Sequence, residues 1–115
     1  MLKRRIGILR NAGVISPEIA DFVDRVIDLL AERFPQTEKE RLEMFTTHLA
    51  MAAERIRKGE TVSDLGEEIW DDIQGNEHFS QAEDFMDEMM TFCPVEFSEG
   101  ERRFMLLHIC SMLSE

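Results

Sequence analysis

Five side chains in this 115-residue sequence are suited to nucleophilic or ligand chemistry near neutral pH: His48, His78, His108, Cys93 and Cys110. An imidazole can take up a proton, a metal ion or a phosphoryl group, and small changes in its surroundings move it between charge states. His48 stands in FTTHLAMAAERIRKGE and His108 in FSEGERRFMLLHICSML. Both read as mid-helix residues on part-apolar faces. Around His48 the core stripe is Phe45, Leu49, Ala52 and Ile56, and His48 lies about 100° from Leu49, at the edge of that stripe. Met44, Met51 or Ala52, and Arg55 share its side. His108 has Phe104 one turn before it and is flanked by Leu107 and Ile109. Each histidine has a charged residue seven positions away, Arg55 after His48 and Glu101 before His108. Arg55 could pair with a carboxylate or with a phosphate placed nearby. Two readings stand side by side: structural histidines bonded to a carbonyl or carboxylate, or residues that can be ionised or modified without breaking the core. His78, in Gly-Asn-Glu-His-Phe, reads as an exposed loop residue, with a ligand or extra phosphate acceptor as the sharper alternative.

Other chemistries lack their residues. The sequence has no nucleophile elbow, no glycine-rich phosphate loop, no HExxH and no Ser/His/Asp set it can vouch for. The many acidic side chains fall on helix faces expected to be exposed, where nothing shifts a carboxylate toward acid–base work. The chain is therefore expected not to be an enzyme. No pair among the histidines and cysteines has the i, i+3 or i, i+4 spacing of a helical zinc site. His108 and Cys110, two apart, point to different sides of a helix. No metal and no cofactor are expected. Cys110 reads as a small buried hydrophobe, and Met86, Met89 and Met90 as core filling.

The elements that must position these residues are set off by helix-capping signals. Ser16-Pro17 looks like an N-cap followed by proline in the first helical position. The stretch to Phe34 repeats apolar residues near every 3.6 positions until Pro35 ends it. Thr37 with Glu40 forms a capping-box pattern before a helix from about Glu38 to Lys58, and Gly59 suits its C-terminal cap. Asp64 with Glu67 opens a short helix closed by Gly75. Ser80 with Glu83 opens another, stopped by Pro94, and Ser98 with Glu101 opens the last, which runs toward Leu113. Residues 2–13 add a short basic helix packed by Ile6, Ile8 and Leu9. The expectation is an all-α, compact antiparallel bundle of five main helices without strands. Residues 1–14 form a short basic N-terminal segment and residues 15–115 a single helical domain. Phe45, Leu49, Ile56, Trp70, Phe85, Phe104 and Leu107 are its expected core.

Composition narrows the function classes. With 43% hydrophobic and 32% charged residues, the chain is that of a globular domain. No apolar run is long enough for a signal peptide or a membrane span. Two cysteines on different helices make no disulfide framework, so a cytoplasmic location is expected. The net charge is −11, and residues 59–101 hold fourteen Asp or Glu and no Lys or Arg. Such a face repels phosphate backbones, so direct nucleic-acid binding is not expected. It is either a solvated face or a docking surface for a basic partner protein.

Two motifs at this separation carry a resemblance. THLAMAAERIRKGE, with leucine after the histidine, then Glu54-Arg55 and Lys58-Gly59, resembles the first histidine motif of the phosphotransferase-system regulation domain (PRD) family. SEGERRFMLLHICSML, with an acid seven residues before the histidine and Leu-His-Ile at its end, resembles the second. The resemblance runs from about residue 15 to the end of the chain. It implies a five-helix bundle that commonly forms homodimers in bacterial antiterminators and transcription activators. It implies His48 and His108 as acceptors of phosphate from the phosphocarrier protein HPr or a sugar-permease component, with Arg55 and Glu101 as supporting residues. Phosphorylation would shift the dimer between active and inactive arrangements. A phosphoryl group carries close to two negative charges, so it should repel the acidic stretch unless Arg55, Arg102 or Arg103 reaches it. Regulators of this kind usually carry two PRDs behind a nucleic-acid-binding domain. This sequence shows one PRD and no effector, so it either acts through a partner protein as a stand-alone module, which is the expectation, or is a fragment. The alternatives are a phosphorylation-inert structural dimer and a small metal-binding accessory subunit.

Overall fold

A computed structural model describes residues 2–60 and 65–114. Its elements are helices α1 (Leu2–Asn11), α2 (Pro17–Arg33), α3 (Lys39–Arg57), α4 (Glu67–Gln74), α5 (Phe79–Met90) and α6 (Glu99–Leu113). The five main helices and the short basic one are all present, and there is no strand among the described residues. None of these helices is long and apolar enough to cross a membrane.

Several boundaries follow the local chemistry. The Ser16 hydroxyl accepts from the Ile19 N–H at the start of α2, and the Ser98 hydroxyl accepts from the Glu101 N–H at the start of α6. Gly59, at φ +80°, ends α3, with the Glu60 N–H bonded to the Arg55 carbonyl and the Gly59 N–H to that of Ile56. A side chain at that φ would crowd the backbone, so glycine suits the position.

Two capping boxes do not form. At α3 the N-cap is Glu38, which makes no side-chain cap, because the Thr37 N–H closes a turn onto the Phe34 carbonyl at the end of α2. At α5 the helix starts one residue before Ser80. The Asn76 side chain takes the His78 N–H, the Phe79 N–H bonds the Asn76 carbonyl, and the Phe79 ring packs edge-on against Trp70. Asp64 lies outside the described residues. At Ser98 the box is half-made, because the Glu101 side chain turns inward instead of back to the cap.

The core lies between α2, α3, α5 and α6, with Phe45 and Phe85 in tilted contact inside it and the partly buried Phe34 edge-on against Phe85. Phe45, Leu49 and Phe85 are buried as expected. Ile56, Trp70, Phe104 and Leu107 are only partly covered. On α6 the deepest residues are Met105, Leu106 and Ile109. From Phe104 onward that helix is apolar nearly all round, so periodicity does not fix which face turns inward. Met86, Met89 and Cys110 are core filling. Helix α1 packs on α2 and α3 through Ile6, which is fully buried, while Ile8 points to solvent.

Candidate functional site

Helices α3 and α6 run antiparallel, and two pairs of side chains mark their contact. The His48 and His108 rings stack at 4.3 Å between centroids, 15° from parallel. Seven residues along each helix, in opposite directions, Arg55 Nη2 meets Glu101 Oε1 at 3.5 Å. A seven-residue step is two helical turns, so the offset seen in the sequence on both helices becomes two rungs of one seam. All four residues picked from the sequence therefore lie along one interface.

The rungs differ in exposure. His48 is exposed and His108 half-buried. Burial, reinforced by the neighbouring His48, holds the His108 imidazole below its ordinary pKa. It is thus a neutral ring at pH 7, with one nitrogen lone pair free to attack or to ligate. Glu101 is almost fully buried, and its Oε2 has no partner among the described residues; nor does Arg55 Nε. Arg55 thus answers a carboxylate in this structure, two turns away from the histidines. Its neighbour Glu54 is also buried. It accepts the Ser16 N–H at 3.0 Å and a forked pair of bonds from Arg57, which together draw its pKa down to about 2. The expectation that the acids occupy exposed faces therefore fails at Glu54 and Glu101. Each sits at the inner edge of its helix and has an arginine to compensate its charge.

Each histidine opens onto its own cleft. His108 lines one of about 360 Å³ with Arg41, Met44 and Ser111, between the start of α3 and the end of α6. His48 lines another of about 310 Å³ with Arg5, Glu43, Met44 and Thr47, where α1 meets α3. Met44, mostly exposed, stands between them. The cations beside the histidines are therefore Arg41 and Arg5. Sequence reasoning missed both. Arg41 sits two turns before His48 and its spacing could have flagged it, but only the packing of α1 brings Arg5 to the site. Arg102 is engaged with Asp87 at 2.9 Å, and Arg103 lies between Glu99 and the face of Trp70.

His78 is a half-buried loop residue whose Nε2 lies 3.2 Å from Glu77. The described residues contain no group of three or more histidines, cysteines or acids arranged to hold a metal ion. Parallel stacking is also a poor ligating geometry, since it aims both ring planes past any shared point between them.

The family model for the PRD domain matches residues 20–111. The chain belongs to the PRD domain family. As a PRD it is a regulatory module of the phosphotransferase system, and the matched range takes in α3, most of α6 and both stacked histidines but leaves out α1. No curated protein and no solved structure matches the chain.

Proposed function

We propose that this PRD senses the state of the phosphotransferase system by accepting a phosphoryl group on the His48–His108 pair, with His48 as the outward acceptor, and reports it to a partner protein. The observation that carries this reading is the stack itself: two imidazoles in contact on a seam between helices, one exposed to a donor and one half-buried. In the transfer, a ring nitrogen lone pair attacks the phosphorus of phosphorylated HPr or a permease component. The bond from phosphorus to the donor breaks and its electron pair leaves with the donor. The acceptor ring then sheds the proton of its other nitrogen to solvent.

Arg55 and Glu101 act as supporting residues by fixing the register of α3 against α6. A phosphoryl group at the stack adds negative charge to a chain already at −11, which favours a change in how α3 and α6, or two copies of the chain, meet. A homodimer in the cytoplasm is the expected working form. Light scattering at high concentration checks the association, and a strict monomer counts against it.

The test is incubation with phosphoenolpyruvate, enzyme I and HPr, followed by intact mass measurement at neutral pH, since phosphohistidine is acid-labile. The expected result is a phosphoryl mass gain that falls in His48→Ala and vanishes in the His48→Ala, His108→Ala double variant. A chain that gains nothing from HPr or any permease component would be a PRD fold with inert histidines.

A further inference from the structure

Helix α1 lies outside the matched family range, yet it brings a cation to the acceptor site. Arg5 Nε donates to the Thr47 hydroxyl at 3.0 Å, and Thr47 directly precedes His48 in the chain. Arg5 and His48 line the same cleft. The other interaction of the guanidinium is slight: Glu43 Oε2 is 3.9 Å from Nη1, with Arg5 exposed and Glu43 half-buried. Arg41, the cation of the neighbouring cleft, is by contrast already bound to the Ser111 carbonyl at 3.0 Å. Arg5 is thus the guanidinium beside His48 that a new anion can capture at least cost, since an exposed ion pair near 4 Å contributes little.

We propose that Arg5 is the phosphate-binding residue for phosphorylated His48, and that through it α1 is the element that reads the modification. This rests on His48 being a phosphoryl acceptor. A phosphoryl group offers three acceptor oxygens and close to two negative charges, which suit the planar fork of an arginine. Helix α1 is a suitable reporter because most of its residues face solvent. Ile6 is its one fully buried side chain, Leu2 and Leu9 are partly buried against the core, and Lys3 pairs with Asp28 at 2.7 Å on the surface. A solvent-facing helix of this kind opens locally below the free energy of global unfolding, so one added bond changes its open population measurably.

The experiment uses the full chain carrying His108→Gln, which leaves His48 as the acceptor of the pair. Phosphoramidate serves as the phosphoryl donor so that no partner protein is involved. Neutral-pH mass measurement and site mapping confirm the group on His48, and amide hydrogen exchange is read across residues 2–11. Labelling precedes the acid quench, so later loss of the phosphoryl group does not affect the reading. Exchange in α1 should slow roughly fivefold on phosphorylation, the effect of one charge-assisted hydrogen bond in a solvent-facing setting. The slowing should disappear in Arg5→Gln, an exposed position where folding is not at risk, and persist in Arg4→Gln. Phosphorylated chain with unchanged α1 exchange, or equal slowing in Arg5→Gln, overturns the role of Arg5 and leaves the acceptor reading intact. Failure of His48 to take the group from either phosphoramidate or HPr overturns both.

Discussion

If both histidines can accept a phosphoryl group, their contact should make the two events exclude one another. The perturbation is phosphorylation driven to equilibrium. The rings stand 4.3 Å apart and nearly parallel, so groups on their nitrogens would hold phosphorus atoms roughly 8 Å apart even when directed into separate clefts. Two groups of about −2 charge at that distance repel by about 2 kcal/mol in water-like dielectric and about 8 kcal/mol at an effective dielectric near 20. Salt lowers the first figure, since the Debye length is itself about 8 Å at physiological strength. With His48 exposed and His108 half-buried, about 2 kcal/mol is a reasonable working value, or roughly a thirtyfold bias against the second group. The assay is neutral-pH intact mass after equilibration with phosphoenolpyruvate, enzyme I and HPr, run on the parent chain and on His48→Ala and His108→Ala. The single variants give the occupancy of each histidine alone. The parent should carry one group, with double occupancy far below the product of those two values. Double occupancy equal to that product would mean independent sites and would refute the reasoning from the stack.

Further outcomes follow from the charges along the seam and its ends. The folded-state pKa of His108 is depressed, so its contribution to stability is complete above its unfolded value near 6.5 and is lost as pH falls from there through the folded value. Thermal unfolding from pH 7.5 to 5 should show this loss in the parent and a smaller one in His108→Gln. Glu54, held near 2, stabilises the fold above its ordinary value of 4.5, and that contribution drains away as pH drops from 4.5 toward 2. Glu54→Ala should cost about 2 kcal/mol in urea titration at pH 7, chiefly by stranding the Ser16 N–H at the start of α2. Arg55→Ala should cost about 3 kcal/mol, because it strands a buried carboxylate, whereas Glu101→Gln should cost about 1 kcal/mol, because Arg55 can turn to water. Equal losses in that last pair would contradict the assignment of Glu101 as the buried partner.

The sequence by itself determined the number and order of the helices, since apolar repeats near 3.6 residues and the stops at Pro35, Gly59 and Pro94 depend on chain-local chemistry. It also determined that His48 with Arg55 and Glu101 with His108 each lie two turns apart on one helix. Where local signals competed, it was less decisive. Thr37 and Ser80 both offered caps, but the preceding turns claimed the backbone around them first. In α6, apolar nearly all round from Phe104 onward, the inward face fell to Met105, Leu106 and Ile109 by packing against α3 and α5. What only the tertiary structure decided is which partners meet across elements. Antiparallel docking of α3 and α6 turned two separate seven-residue offsets into a histidine stack and an ion pair. The same docking buried Glu101, which a helix-face argument had placed in water. The seating of α1 brought Arg5 next to His48 across more than forty positions of chain. No periodicity encodes that approach, because it depends on the burial of Ile6 and on the geometry of three helices at once.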